Sequence, residues 1–107
     1  MKRITELTID EKVKLAAELD DVDIVTIGNH DFPRTGDFKP YATSYDAIIP
    51  LRKKICSTSE LKVAWLNAAR AILHRKLGRN VSDFDIASIE PADDLDALLV
   101  ATGKATL

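Results

Sequence analysis

Two prolines, Pro40 and Pro50, bracket the run that most constrains this chain, Lys39-Pro40-Tyr41-Ala42-Thr43-Ser44-Tyr45-Asp46-Ala47-Ile48-Ile49-Pro50-Leu51. The ring of Pro40 drives Lys39 out of the helical region, so a helix can start only after it. Thr43 or Ser44 then offers a hydroxyl to the first free backbone amides of a helix beginning near Tyr45. Asp46, placed after Thr43 as the acid of a capping box would be, is a shorter stand-in for the usual Glu and sets negative charge in the first turn, where the helix dipole favours it. Pro50 falls inside that helix, where it removes one backbone hydrogen bond and clashes with the preceding turn. The sequence therefore predicts a kink or a short broken first turn. Ile48, Ile49 and Leu51 make this a core-facing segment.

Taken in order, Met1 to Leu7 reads as a short charged lead-in. Thr8-Ile9-Asp10-Glu11 then forms a capping box ahead of a stripe of Val13, Ala16, Ala17 and Leu19 at near-helical spacing. Asp20-Asp21 ends that first helix, and Val22 to Ile27, rich in β-branched residues, predicts a strand closed by Gly28. From Gly28 to Pro40 the density of Gly, Asn, Asp and Pro predicts a long exposed loop, a kind of segment that often carries function. After the Pro50 helix, Ser57 with Glu60 makes a second capping box and opens the longest helix, which runs to about Leu77. Leu61, Ala64, Trp65, Ala68, Ala69 and Ile72 share one face of it, Gly78 supplies the left-handed C-terminal position, and Arg75 and Lys76 complement the dipole. Phe84, Ile86 and Ile89 mark a second short strand. Pro91 with Asp93 and Asp94 in the first turn, then Leu95, Leu98 and Leu99 up to Thr102-Gly103, define a final helix with both ends marked.

A chain of 107 residues with 46% hydrophobic content is one domain's worth, residues 1–107, and such a chain buries about two thirds of its unfolded surface. Fifteen basic against seventeen acidic residues leave a net charge of -2, too little to pull the whole protein onto nucleic acid or an anionic membrane. The single cysteine, Cys56, has no internal disulfide partner, and the N-terminus lacks the pattern of a secretion signal, so the expected compartment is reducing cytoplasm. No apolar run approaches the roughly 18 residues that cross a bilayer.

The run Tyr41-Ala42-Thr43-Ser44-Tyr45-Asp46-Ala47-Ile48-Ile49-Pro50-Leu51 resembles the signature of the phage ABA sandwich family of small bacteriophage and prophage proteins. The ending Leu95-Asp96-Ala97-Leu98-Leu99-Val100-Ala101-Thr102-Gly103-Lys104 is similar to that family too. The two runs cover about a fifth of the chain and consist mostly of helix caps and core positions. The resemblance implies a small helix, strand, helix sandwich and an accessory role in a phage or prophage, in the cytoplasm of a bacterial host. It brings no catalytic residues.

Other motifs are local. Gly28-Asn29-His30-Asp31 resembles one block of the calcineurin-like metallophosphoesterases, in which Asn and His bind a two-metal centre. That chemistry needs several more His and Asp ligands, and His74 is the only other histidine. The tetrapeptide thus reads first as a turn whose Asn and Asp bond their own backbone. Cys56 with His30 or His74 would make a nucleophile and base only if the side chains met, and a packed thiol is the simpler reading. Thr102-Gly103-Lys104 ends a helix and lacks the earlier glycine of a phosphate loop.

Basic side chains gather at two helix ends, Arg52, Lys53 and Lys54 in one, His74, Arg75, Lys76 and Arg79 in the other. There they complement helix dipoles or form a patch for phosphates. Phe32, Phe38, Tyr41 and Tyr45 bracket the long loop, either as a partner-binding edge or as rings pinning the loop to the core. Trp65 reads as core.

These residues specify an α+β domain with helices packed around a small two- or three-stranded sheet, the strand at Val22 to Ile27 pairing with one at Phe84 to Ile89. The functional expectation is a protein that binds a partner and does not catalyse, without a cofactor, through the Asn29 to Pro40 loop and its aromatics. A nucleic-acid-associated protein using the basic helix ends comes second, and a metal-dependent hydrolase at Asn29-His30-Asp31 comes last.

Overall fold

Leu95, Ala97, Leu98 and Leu99 are all inaccessible to solvent, and consecutive buried positions on a helix mean that it is enclosed on more than one side. Their helix, α5 (Pro91–Ala101), is the centre of the protein. The structure, a computed structural model, describes residues 1–34 and 36–107. Against α5 pack α1 (Ile9–Leu19), α2 (Tyr45–Ile55) and α3 (Ser59–Leu77), while a short α4 (Asp83–Ala87) sits on α3. The strands among the described residues form one two-stranded antiparallel sheet, β1 (Ile24–Ile27) and β2 (His30–Pro33), so the fold is α+β. Among the described residues no helix is long and apolar enough to cross a membrane.

The first helix forms as its sequence dictates. The Glu11 N–H donates to the Thr8 hydroxyl at 3.1 Å and the Thr8 N–H donates back to the Glu11 carboxylate at 3.2 Å. Ala16 and Ala17 present small buried surfaces to the core. Asp21, at φ 58, turns the chain out of the helix in the left-handed region, which Asp tolerates because its short side chain can bond locally. Lys12 pairs with Asp96 at 2.9 Å and ties α1 to α5.

The second helix departs from expectation at both prolines' dependents. Neither the Thr43 nor the Ser44 hydroxyl caps it; Ser44 is the N-cap in extended conformation, and its carbonyl accepts from the Ala47 and Ile48 N–H groups. The helix also continues without a break through Pro50. Pro50 is exposed, and the burial of Ile48, Leu51 and Ile55 outweighs the one missing hydrogen bond.

In α3 the cap is Thr58, whose hydroxyl accepts from the Leu61 N–H at 3.3 Å, so the box expected of Ser57 and Glu60 lies one residue too early. Trp65, Ala68, Ala69 and Leu73 form its buried face, and Gly78 takes the left-handed position at φ 68.

The strand expected at Phe84 to Ile89 is helical instead. Ser82 accepts from the Asp85 N–H at 3.2 Å while Asp85 accepts from the Ser82 N–H at 2.8 Å, a box strong enough to override weak alternation. The consequence is that Ile86 and Ile89 are buried and Phe84 is 79% exposed. The partner of β1 comes from the segment expected to be loop, in the register Ile24 to Pro33, Val25 to Phe32, Thr26 to Asp31 and Ile27 to His30. Gly28, at φ 66, occupies the first central position of the two-residue turn, where glycine is favoured in a type II′ hairpin. The lead-in is also structured: Ile4–Glu6 is a 3-10 turn with Ile4 buried, and Arg3 pairs in parallel with Thr106. The Ile4 N–H donates to the Thr106 carbonyl at 2.7 Å and the Thr106 N–H to the Lys2 carbonyl at 3.1 Å.

Candidate functional site

Because side chains alternate along a strand, Ile24 and Thr26 share one face of the hairpin with Pro33 and Asp31, and Val25 and Ile27 share the other with Phe32 and His30. Ile24 packs on the core and Pro33 is buried, while Ile27 and Phe32 remain 68% and 48% exposed. Between the hairpin, α1 and the loop 37–40 runs a groove of about 620 Å³. Lys14 reaches from α1 to pair with Asp31, which also accepts from the Thr26 hydroxyl. The hydrogen bond from Lys14, then that from Thr26, holds the Asp31 carboxyl below the usual carboxylate range, and the Lys14 ammonium is raised in return.

The groove is acidic. Asp10, Glu11, Asp31 and Asp37 line it against Lys14 and Lys39. Both lysines are already engaged, Lys14 with Asp31 and Lys39 with Asp20 at 3.5 Å, and Glu11 pairs with Lys2 at 3.2 Å, so Asp10 and Asp37 are the groove carboxylates without an ion-pair partner among the described residues.

Of the four aromatics expected at a partner-binding edge, Phe32 and Phe38 line this groove, Phe32 exposed and Phe38 half-buried against the core. Tyr45 stands away from it at the start of α2, 49% exposed. Tyr41 is corrected: it is fully buried and can touch no partner. Its hydroxyl donates to Asp20 at 2.7 Å, and burial first, then the nearby carboxylate, pushes the phenol well above its usual pKa. On Asp20 the largest single effect is burial, which raises the pKa. The Tyr41 hydroxyl with Lys39 and Lys54 outweighs it, so the carboxyl ends below its ordinary value.

The basic helix ends are mostly neutralised. Arg52 pairs with Asp94 at 2.9 Å, Lys54 with Asp21 at 3.0 Å, and Lys76 with Asp93 at 2.8 Å and Glu90 at 3.2 Å. Arg79 grips Asp85 with two parallel bonds of 2.8 and 2.9 Å, which keep that carboxyl far below its normal range. Lys53 and Arg75 alone of the six are without an ion-pair partner among the described residues.

The residues of the Asn29-His30-Asp31 motif are separately placed. Asn29 is in the hairpin turn, His30 lies beside Phe32 with ring centroids 6.1 Å apart, and Asp31 is committed to Lys14. Among the described residues no group of three or more His, Cys, Asp or Glu is placed to hold a metal ion. The His74 Nδ1–H donates to the Arg79 carbonyl at 2.9 Å and ties the turn after α3 to the helix's last turn.

A second site was not legible as such. Asp94, read from sequence as a first-turn acid, is 1% exposed. Its Oδ1 accepts from the Trp65 indole N–H at 2.9 Å, its Oδ2 pairs with Arg52, and the Arg52 guanidinium lies over the Trp65 ring at 5.0 Å. The signal was positional: Pro91, Asp94 and Leu98 fall at helical spacing on one face, so a core-facing stripe runs through the acid. Beside this cluster is a cleft of about 280 Å³ lined by Arg52, Lys53, Cys56, Lys62 and Trp65. Among the described residues no histidine lines it, and burial pushes the Cys56 thiol up, which disfavours the thiolate.

Comparison of this chain with protein-family models, with curated proteins and with solved structures finds no match.

Proposed function

We propose that this chain is a binding protein and not an enzyme, an accessory protein of the kind its resemblance to the phage ABA sandwich family implies. Its partner contributes a segment with basic and apolar side chains to the groove between α1 and the hairpin. The observation that carries this reading is the composition of the groove: Asp10 and Asp37 are carboxylates without an ion-pair partner among the described residues, Asp31 and Glu11 being paired with Lys14 and Lys2, and Phe32 and Phe38 supply apolar contact. Such a surface favours cations by Coulomb attraction and retains a water-exposed ring that gains from being covered.

The test is a titration of isotope-labelled protein with two synthetic peptides of equal length, one of alternating Lys and Leu, the other of alternating Glu and Leu. The basic peptide is expected to give saturable amide shifts confined to α1, β2 and residues 37–40, weakened by Phe32→Ser and by Asp37→Lys. Equal response to both peptides, or shifts elsewhere in the chain, would dispose of the reading.

A further inference from the structure

The cleft at the junction of α2 and α3 shares no residue with the groove, and its electrostatic character is the reverse. Arg52, Lys53 and Lys62 line it and, among the described residues, no carboxylate does. Asp94 balances Arg52 from behind, while Lys53 and Lys62 have no ion-pair partner among the described residues. Two uncompensated ammonium groups at one small concavity attract an anion, and the low-dielectric wall that Trp65 and Cys56 form strengthens the attraction.

Arg52 is held in place for such a task. Asp94 fixes one of its nitrogens at 2.9 Å, the Trp65 ring supports its plane at 5.0 Å, and Asp94 is itself fixed by the indole N–H. Among the described residues Arg52 has no further acceptor, so the remaining donors of its planar fork are free for a ligand. An apolar pair would join these helices at least as well, because a buried carboxylate and guanidinium must both be stripped of water. What the charged cluster adds is a guanidinium whose orientation is set before any ligand arrives, and that saves ordering entropy on binding.

The size and lining set the ligand. At about 280 Å³ the cleft lies at or below the small end of the range typical of ligand pockets, and its wall is partly apolar. We propose that it binds a small organic anion, one phosphate or carboxylate on a compact apolar body, with the charged head among Arg52, Lys53 and Lys62.

Trp65 is the single tryptophan, so its indole N–H gives one isolated resonance in a proton-nitrogen correlation spectrum and reports on the cleft directly. The full chain is titrated with phenyl phosphate, benzoate, inorganic phosphate and phenol. Phenyl phosphate or benzoate is expected to shift the Trp65 resonance saturably, the tighter of the two naming the head group, while phenol has no effect. Raising the salt should weaken the binding, and the surface double variant Lys53→Ala, Lys62→Ala should weaken it about tenfold with an unchanged melting temperature. The proposal is overturned if neither organic anion saturates by about 10 mM. It is overturned equally if the double variant binds as tightly as the native chain, or if inorganic phosphate matches phenyl phosphate, which would leave a bare anion site. Groove residues take no part in this readout, so the peptide titration stands or falls separately.

Discussion

The indole N–H of Trp65 donates to Oδ1 of Asp94 at 2.9 Å, so a carboxylate from α5 is held by α3 inside the interface that the two helices share. Burial pushes the pKa of Asp94 up to about 6, and the attraction of Arg52 and the indole hydrogen bond pull it only part of the way back. A carboxyl with a folded pKa above its unfolded one binds its proton more tightly in the native state. Its contribution to stability is therefore greatest below the ordinary carboxylate value and is lost as pH rises through the folded value. For Asp94 that loss is on the order of 3 kcal/mol between about pH 4 and pH 7. Thermal melts across that window should show Asp94→Asn flattening the decline. Asp96, also raised by burial, acts with the same sign, so Asp96→Asn serves as the parallel control. A pH profile unchanged by Asp94→Asn would remove the assignment.

Arg52→Met should be far more damaging than the loss of a surface charge. It leaves the Asp94 carboxylate buried without its cation, at a cost of about 3 to 5 kcal/mol at neutral pH and less near pH 5, where the carboxyl can take up a proton. Replacing both partners, Arg52→Met with Asp94→Leu, should recover most of that loss in urea denaturation. Failure of the second substitution to recover anything would mean that the pair does not act as a unit.

Tyr41→Phe keeps the buried ring and removes the bond to Asp20. With Lys39 and Lys54 still facing the carboxylate, the expected destabilisation is about 1.5 to 3 kcal/mol, seen as a lower denaturant midpoint at unchanged slope. No shift in the midpoint would show that water replaces the hydroxyl without penalty.

Pro50→Ala is expected to stabilise. The residue is exposed within an uninterrupted helix, and alanine restores the missing N–H and removes the ring clash, worth about 1 to 3 kcal/mol. A fall in melting temperature would mean that the ring itself makes a needed contact.

Helix existence was legible because caps and apolar stripes are local. Thr8 with Glu11, Gly78, and Pro91 with Gly103 all mark the ends that the structure has. The errors arose where two local signals competed. Ser57 and Thr58 are both competent caps, and the pattern of Phe84, Ile86 and Ile89 reads as alternation until the Ser82 and Asp85 box is weighed against it. Strand β2 was hidden by composition, since His30-Asp31-Phe32-Pro33 contains a proline, though Gly28-Asn29 is itself a two-residue hairpin signal. The groove follows from that hairpin and so could not be placed without it. The Arg52, Trp65 and Asp94 cluster joins three helices, and no local pattern encodes which charged residue of α2 meets which acid of α5.

The parallel pairing of Arg3 with Thr106 has a mechanical meaning. The chain leaves Arg3 toward Met1 in one direction and leaves Thr106 toward Leu107 in the opposite one. Tension applied through the two ends therefore loads the Ile4 and Thr106 hydrogen bonds together in shear instead of peeling them one at a time. If a tether or a neighbouring particle were to pull on this protein, that short clasp would bear the force before α5 felt any of it.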